Sequence, residues 1–505
     1  MTGDESPSAC DYLVIGAGAT GMAFCDTLLH HTSTSSTPPT VILVDKHDRP
    51  GGQWNDSYSF VALHQPSRGY GVESERLEPV GDPNADTHRA TRDEILDYYS
   101  AVQRKLEARF NFRFVGGISF DMNQLGGSGS EGVYQLQSKS SDGTASTSNI
   151  RVRKKVVDAR YLEPDLPVFV GPKFTYDDAV VKCIPVNELP MVKSGKHYAV
   201  IGGGKTGMDA ITYLQTEAKV VPSNITWVVP NDAWITARGN IGSCMEFLHT
   251  CTRLAKDQSS DTTALKWAVL APDFFQKGFL EWEKTGRVYR LHEDALPTKF
   301  KDATLCKREM DIIQKVTNVI SHHGRITSIS DSGAMNFEDG TVVPLSDGQS
   351  LAHTVFVHCS AGAFNYSKHP NNESPPVYGD NVLTIQDVYG TPGFCFVGSL
   401  FGRLEAMGDE ISDDEKNSMC LAPQAGASEA VSPLGPSGGD IGTISENHGL
   451  VQRVRNLEKW LNVPEIKGWL EGHRLFNLGH LEAKQMVGIV EQIMEVLLEV
   501  GLVSA

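Results

Sequence analysis

The chain lacks the features that would place it in a membrane, on nucleic acid or around a metal ion. Its 505 residues contain no apolar run long enough to span a bilayer, and the polar, acidic N-terminus predicts no secretory signal. A formal net charge of −17 disfavours nucleic acid and anionic membrane surfaces as partners. No cysteines and histidines stand at the spacing of metal ligands, so we expect no metal site.

Cysteine is neither paired nor clustered. The nine cysteines are an odd number, and no C-x-x-C pair occurs among them. This pattern favours free thiols in a reducing compartment, so we expect a cytoplasmic protein. The hydrophobic content of 40% and charged content of 21% are typical of globular proteins, and the length predicts two or three domains. Nothing in the sequence specifies an oligomeric state.

The first 45 residues contain the complete pattern of a dinucleotide-binding unit. A strand, three glycines at G-x-G-x-x-G spacing, a helix, a second strand and an acid follow one another: residues 12–15; Gly16, Gly18 and Gly21; residues 22–29; residues 41–44; and Asp45. The glycines permit a tight turn and a close approach of the backbone to a pyrophosphate, which then sits at a helix N-terminus. The alternative is an ordinary glycine turn without a nucleotide.

The same pattern returns later in the chain. Residues 198–201 form an apolar run, and three further glycines follow it at the same spacing: Gly202, Gly204 and Gly207, with Lys205 and Thr206 inside the turn. Two such turns in one chain predict two nucleotide cofactors, most simply a flavin and a nicotinamide.

The order of the remaining segments predicts an α/β fold of two Rossmann-like dinucleotide-binding domains, with the second inserted into the first. Residues 1–165 and 350–505 would form the FAD-binding domain with C-terminal helices, and residues 166–349 the NADPH-binding domain. A strand at residues 355–357 would bring Ser360 and Ala361 to a cofactor. A strand at residues 394–397 would end at the flavin with Gly398 and Ser399.

Four other segments have local signatures. Thr91, with Glu94 three residues later, predicts a capped helix over residues 91–106. Residues 486–503 form an amphipathic pattern with an acidic stripe of Glu491, Glu495 and Glu499. The glycine- and serine-rich residues 126–132 predict a hairpin tip, and residues 422–442 a linker.

Asp45 is placed to accept hydrogen bonds from ribose hydroxyls, which suits FAD because FAD has no 2′-phosphate. Lys46 follows it directly. Gly52, Gln53 and Trp54 then form a second glycine segment that lets the backbone pass close to the flavin.

The second unit favours NADPH over NADH. Its second strand ends at residues 230–231 without an acid, while Lys205 and Arg238 supply cations for a 2′-phosphate. Two alternatives stay open. Asp232 would favour NADH if its side chain faced the ribose, and Arg238 could instead form a surface ion pair.

The motifs GAGATG, Asp45, GGQW and GGGKTG, in this order, resemble those of class B flavoprotein monooxygenases. The stretches LHQPS, GGGKTGMDA and WVVPNDAW are similar, more closely, to a branch of fungal and bacterial FAD/NAD(P)-dependent oxidoreductases. The Baeyer–Villiger signature is incomplete, because Thr175 and Ala179 stand where a histidine and an aromatic residue are required. The resemblance therefore implies oxygen transfer without ester or lactone formation.

The resemblance implies a specific reaction. NADPH would reduce FAD, the reduced flavin would take up dioxygen as a C4a-(hydro)peroxide, and one oxygen atom would pass to a small-molecule substrate. Gln65 is the candidate catalytic amide, with His64 as its neighbour, although either side chain could be purely structural. The alternatives are a flavin-dependent dehydrogenase or reductase without oxygen transfer, and a nucleotide-binding redox sensor.

Overall fold

The computed structural model describes most of the chain. The described residues are 8–34, 37–82, 87–125, 132–139, 145–161, 163–193, 195–291, 295–346, 348–361, 376–390, 393–422, 444–445, 448–476 and 483–504. The predicted hairpin tip at 126–132 and the predicted linker at 422–442 lie almost entirely outside them.

The described part contains both strands and helices. The strands are β1 (Ser8–Ile15), β2 (Val41–Val44), β3 (Phe112–Val115), β4 (Ile118–Ser119), β5 (Val133–Lys139), β6 (Ala145–Asp158), β7 (Cys183–Pro185), β8 (His197–Ile201), β9 (Ile225–Val229), β10 (Ala233–Ala237), β11 (Val288–Arg290), β12 (Lys299–Leu305), β13 (Asn318–Ser321), β14 (Ile326–Ile329), β15 (Met335–Phe337), β16 (Val342–Val343), β17 (Thr354–His358), β18 (Tyr378–Gly379) and β19 (Val382–Thr384). The helices are α1 (Ala19–His31), α2 (Arg92–Arg109), α3 (Lys205–Thr216), α4 (Cys244–Asp257), α5 (Thr262–Val269), α6 (Phe274–Lys284), α7 (Lys307–Ile313), α8 (Phe394–Ala406), α9 (Asp413–Ser418), α10 (Gly449–Asn462), α11 (Pro464–Gly472) and α12 (Ala483–Glu499).

The first sheet is built around β1. Its strand order is β18-β19-β6-β1-β2-β3, with β5 and β4 added at β6. The core strands run parallel, with Leu13 opposite Ile42 on one side and Val156 on the other. β2 is buried along its whole length, as expected for a continuous apolar run inside a parallel sheet. The β1–α1–β2 unit predicted from the first glycine turn is therefore present.

The second sheet has the order β13-β9-β8-β17-β7, and all of its strands are parallel. It lies between β6 and β18 in the chain, so one sheet is nested inside the other. This confirms the predicted α/β class with an inserted second unit. β17 pairs with β8 and β7, so residues 354–358 belong to the second sheet. The expected return to the first unit at residue 350 is thus too early.

One predicted strand is a helix. Residues 394–397 form the first turn of α8, whose N-cap is Gly393. A short apolar run does not distinguish a buried strand from a buried helix. The helix is explained by Gly398 and Gly402, four residues apart on its face toward α1. A Cβ atom on Gly398 would lie 2.3 Å from the carbonyl oxygen of Thr20, and one on Gly402 would lie 2.6 Å from that of Phe24.

The capping box of Thr91 and Glu94 starts α2 as predicted.

The C-terminal helices complete the core. On α12 the apolar side chains of Ile493, Val496 and Leu497 are buried, while the three glutamates of the acidic stripe are exposed. This confirms the predicted amphipathic helix docked on the protein. Among the described residues, every helix is too short or too polar to cross a membrane.

We predict that Gly398→Ala destabilises the fold. The added methyl group meets the backbone of α1, and overpacking of this kind costs about 1–3 kcal/mol. Gly468→Ala in α11 is the matched control because nothing lies within 4 Å of its would-be Cβ. It should stabilise the helix by about 0.5–1 kcal/mol. Thermal unfolding midpoints that fall for Gly468→Ala, or stay unchanged for Gly398→Ala, would contradict the packing argument.

Candidate cofactor-binding site

The carboxyl ends of β1 and β8 open on one cavity of about 1420 Å³. Pockets for a single small ligand usually measure about 300–1,000 Å³, so this cavity has room for more than one. Both glycine turns line it, as does the segment from Gln53 to Gln65. The two units therefore face the same space, at the position where nested parallel sheets bind their ligands.

The first glycine turn meets the second glycine segment. Gly16 has φ +102°, and a Cβ on Gly21 would lie 2.0 Å from the Gly16 carbonyl oxygen. A Cβ on Gly52, where φ is +52°, would lie 2.7 Å from Cα of Gly18. Gly18 is also the N-cap of α1 and provides no side chain to satisfy the first N–H groups. These groups therefore remain available for an anion at the cavity.

Asp45 lies at the end of β2 as predicted and is buried. Its Oδ2 accepts a hydrogen bond of 2.6 Å from the backbone N–H of Ala17, and its Oδ1 lies 2.7 Å from Nδ1 of His47. Burial alone would raise the pKa of Asp45, but the bonds from His47 and Ala17 lower it overall. The carboxylate is therefore ionised and fixed beside the glycine turn.

His47 is a site residue that the sequence analysis missed. Its Nε2 lies 2.8 Å from Oδ2 of Asp56, so the imidazole bridges two carboxylates. The hydrogen bond to Asp45 is the largest cause of its raised pKa. The signal in the sequence is the spacing Asp-x-His directly after the strand. Lys46, between them, also lines the cavity, with its Nζ 2.7 Å from Oε1 of Glu163.

The second glycine turn repeats the geometry of the first. Gly202 has φ +131°, and a Cβ on Gly207 would lie 2.1 Å from the Gly202 carbonyl oxygen. Gly204 is the N-cap of α3, again without a side-chain cap. Ser360 and Ala361, predicted to reach a cofactor, line the cavity just after β17. Thr206 also lines the cavity.

The two cations predicted for the second unit have protein partners. Lys205 forms an ion pair with Asp209, which also accepts a 2.8 Å hydrogen bond from the Tyr58 hydroxyl. Arg238 is only 9% exposed and pairs with Glu309 at 2.6 Å. It also donates to the carbonyl oxygens of His64 and Thr304, at 2.6 and 2.9 Å. Arg238 is therefore not part of a surface ion pair. It lines the cavity with its guanidinium bonded to protein acceptors, and its contact with a phosphate stays a prediction.

A different group of cations lies at the second turn. A Cβ atom on Gly203 would lie 3.3 Å from Nζ of Lys301 and 2.6 Å from a methyl carbon of Val229, the last residue of β9. Burial, followed by the nearby charges of Lys299 and Arg325, lowers the pKa of Lys301 to about 8. All three cations line the cavity. The sequence analysis missed them because they come from β12 and the loop before β14, far along the chain from the glycine turn.

Asp232 pairs with a histidine outside this group. Its carboxylate is buried, and its Oδ2 lies 2.7 Å from Nε2 of His322. Pro230 and Asn231 line the cavity at the end of β9, whereas Asp232 is not part of the cavity lining. The alternative in which Asp232 binds a ribose is therefore not supported by its orientation.

The candidate catalytic pair lies in the cavity wall. Nδ1 of His64 is 3.2 Å from Oγ1 of Thr304, and burial, with the nearby charges of Lys205 and Arg238, lowers the pKa of His64 to about 3. The imidazole is thus neutral at physiological pH. Gln65 also lines the cavity, and its Oε1 is buried without a hydrogen-bond partner in the described part of the chain. Since nearly all buried polar atoms are hydrogen-bonded, this oxygen indicates a ligand position.

The remaining residues of the glycine segment have separate roles. Gln53 is exposed toward the cavity. Trp54 is buried, and its indole N–H donates a 2.7 Å hydrogen bond to the Tyr70 hydroxyl. Trp54 therefore lines the cavity with its ring largely buried in the protein.

A buried acid lies shortly before α8, the helix that stands where a strand ending at the flavin is predicted. β19 leads directly to Asp387, which lines the cavity and comes before α8. Its Oδ1 accepts a 2.7 Å hydrogen bond from the backbone N–H of Gly390, and its Oδ2 accepts one of 2.7 Å from Arg453. Ser399, by contrast, is buried within α8. The strand that supplies the acid is only three residues long, which makes it hard to recognise from periodicity.

Comparisons with known proteins reveal similarity along most of the chain. No family model matches it. Uncharacterised proteins of Mycobacterium tuberculosis and Mycobacterium bovis are 28% identical over 480 residues, which cover 93% of this chain and 78% of theirs. A closed crystal structure of cyclohexanone monooxygenase is similar over 97% of this chain and 98% of its own, with 15% identity and a TM-score of 0.45. A flavin-containing monooxygenase from Stenotrophomonas maltophilia is similar over 79% of this chain and 97% of its own, with 14% identity and a TM-score of 0.43.

The bridge formed by His47 predicts a pH-dependent contribution to stability. The folded-state pKa of His47 is raised, so its contribution is fully present below the unfolded pKa of about 6.5 and is lost as pH rises through the folded value. The stability difference between wild type and His47→Gln should therefore be largest at acidic pH. Unfolding midpoints measured from pH 5.5 to 9 test this. The exposed pair of His323 and Asp339, 2.9 Å apart, provides His323→Gln as the control, and we expect it to have little effect. A His47→Gln deficit that grows with rising pH would contradict the assignment.

Proposed function

We propose that this chain is an oxidoreductase that binds FAD at the first glycine turn and NADPH at the second. More specifically, we propose that it transfers an oxygen atom from dioxygen to a small molecule. One observation carries the proposal: two uncapped helix N-termini, from two nested α/β units, open on one cavity together with a buried, unpartnered amide oxygen at Gln65.

The first unit fits FAD. The N–H groups at the start of α1 would receive the pyrophosphate, and Gly18 and Gly52 leave room for it because neither carries a side chain. The ionised carboxylate of Asp45 would accept hydrogen bonds from ribose hydroxyls and would repel a 2′-phosphate. Asp387, at the end of β19, offers a second fixed carboxylate on the same cavity wall.

The second unit fits NADPH. The start of α3 would receive the pyrophosphate. Lys299, Lys301 and Arg325 would hold the 2′-phosphate, because Lys301 reaches the space between Gly203 and the end of β9. Asp232 pairs with His322 and does not line the cavity, which supports NADPH over NADH.

When bound, the flavin would supply the redox chemistry: it accepts a hydride from the nicotinamide and reacts with dioxygen. The chain itself would position both rings and exclude water. Gln65 would direct its amide at the reacting atoms, and neutral His64 would add no positive charge beside them. A carboxamide and a neutral imidazole both form hydrogen bonds to uncharged or anionic groups, and neither of them is a strong acid.

The purified protein should therefore be yellow and should oxidise NADPH. When the anaerobically reduced protein is mixed with oxygen in a stopped-flow instrument, we expect a transient species. Its absorption spectrum should be intermediate between those of oxidised and reduced flavin. Oxygen uptake across a panel of amines, sulfides and phenolics then identifies the substrate class. Return to oxidised flavin without a transient would indicate a reductase. Protein that stays colourless after incubation with FAD would reject the proposal altogether.

The cation group makes a separate prediction about cofactor selection. Lys301→Met removes a charge-assisted contact worth about 1.5–3 kcal/mol, so the KM for NADPH should rise about 10- to 100-fold. The KM for NADH, which has no 2′-phosphate, should change little. Lys315→Met, at an exposed lysine outside the cavity lining, is the control and should leave both values unchanged. An equal loss with both nucleotides would show that Lys301 does not read the 2′-phosphate.

A further inference from the structure

Two arginines hold consecutive carbonyl groups directly before Gln65. Nε of Arg89 donates a 2.6 Å hydrogen bond to the carbonyl oxygen of Leu63. Nε of Arg238 donates one of 2.6 Å to the carbonyl oxygen of His64. Hydrogen bonds from ionised donors are shorter and stronger than those between neutral groups, so this backbone is held more firmly than an ordinary loop.

One carboxylate holds both arginines. Oε1 of Glu309 lies 3.0 Å from Nη1 of Arg89, and its Oε2 lies 2.6 Å from Nη1 of Arg238. Burial would raise the pKa of Glu309, but Arg238 and the N–H of Cys306 lower it to about 2. The carboxylate is therefore charged at physiological pH, and its position is fixed at the start of α7. We call Arg89, Arg238 and Glu309 the carbonyl clamp.

The carbonyl clamp acts on a short bend of the chain. The backbone N–H of Leu63 donates to Ala90, and that of Ser67 donates to His88, at 2.9 and 2.8 Å. Residues 64–66 lie between these two backbone hydrogen bonds. Within this bend, Arg238 holds the carbonyl of His64, and Thr304 contacts the His64 ring. Gln65 lines the cavity, and its amide oxygen is buried without a hydrogen-bond partner in the described part of the chain.

The carbonyl clamp joins the two units. Leu63, His64 and Arg89 lie between β2 and α2 of the first unit. Arg238, Thr304 and Glu309 lie between β9 and β13 of the second unit. The bend that carries Gln65 is therefore held by contacts within the first unit and, in addition, by contacts of Arg238, Thr304 and Glu309 that exist only when the two units are docked.

We propose that the carbonyl clamp is a positioning device: it sets the Gln65 amide in place for the reaction and makes that placement depend on the docking of the NADPH-binding unit. Arg89, Arg238 and Glu309 are then positioning residues that act through Gln65. This inference rests on the proposed function, because the reaction that Gln65 serves is the one proposed above.

The test compares Glu309→Gln with Glu246→Gln. Glu246 is a matched control because it occupies the equivalent place in α4. Its Oε2 accepts the N–H of Ser243 at 2.8 Å, as Oε2 of Glu309 accepts that of Cys306, and its Oε1 pairs with Arg287 at 2.9 Å. Both substitutions thus remove one negative charge and leave an amide oxygen that can still cap the helix. Glu246 pairs with one arginine and Glu309 with two, and only Glu309→Gln loosens the bend.

Hydrogen exchange measures the positioning without any turnover. Peptides covering residues 61–68 should exchange faster in Glu309→Gln than in wild type, and at the wild-type rate in Glu246→Gln. Unchanged exchange in Glu309→Gln would overturn the carbonyl clamp. If Glu309→Gln does not fold, Arg89→Lys replaces it, because lysine keeps the charge but loses the two-pronged geometry of the guanidinium.

Flavin reduction by NADPH, followed anaerobically, tests the connection to Gln65. Glu309→Gln should lower the limiting reduction rate at least about ten-fold while the apparent Kd for NADPH changes less than about three-fold, since an interaction used only during the reaction is removed. Combined with Gln65→Leu, it should cause no further loss, because residues that act through one another are not additive. Additive losses, or a Glu246→Gln variant as slow as Glu309→Gln, would overturn the inference. A wild-type protein whose flavin is not reduced by NADPH would instead reject the proposed function.

Discussion

The close approach of backbone to backbone at the two glycine turns is the constraint on which the site depends. Gly21 lies against the Gly16 carbonyl and Gly207 against the Gly202 carbonyl, at separations that no side chain tolerates. Each approach lets a helix start directly at the end of a buried parallel strand, with its first N–H groups uncapped. Because both strands end at one cavity, the partial positive charges of two helices converge where phosphates would bind.

The electrostatics of the cavity run against those of the whole protein. The chain carries a formal net charge of −17, yet Lys205, Lys299, Lys301 and Arg325 gather around the second turn. An acidic surface disfavours non-specific contact with polyanions, whereas a recessed group of cations attracts a small, highly charged nucleotide. The same distribution separates the two cofactor positions, since Asp45 places negative charge at the first turn and the lysines place positive charge at the second.

The sequence predicted those parts of the site that are local in the chain. The two glycine turns and Asp45 follow spacing rules that reflect backbone geometry, and Gly16, Gly18, Asp45, Gly202 and Gly204 line the cavity. The parts that were missed depend on tertiary contact. Lys301 reaches the second turn from a separate sheet, Arg238 is held by Glu309, and Asp387 follows a strand of three residues. The sequence predicts a strand at residues 394–397, where the structure has a helix. The two glycines that let this helix pack against α1 are explained only by the tertiary contact itself.

The nested order of the sheets affects how the protein is made. During synthesis, β1 to β6 leave the ribosome first. β19, which pairs with β6 in the same sheet, emerges only after all the strands of the second sheet. The inserted unit is one continuous segment and is able to fold as soon as β17 emerges. Until β19 appears, the first unit has residues 156–158 of β6 without their partner strand, in the kind of intermediate that is vulnerable to aggregation. Newly made chains should therefore depend most on chaperones during the interval before residues 382–384 appear.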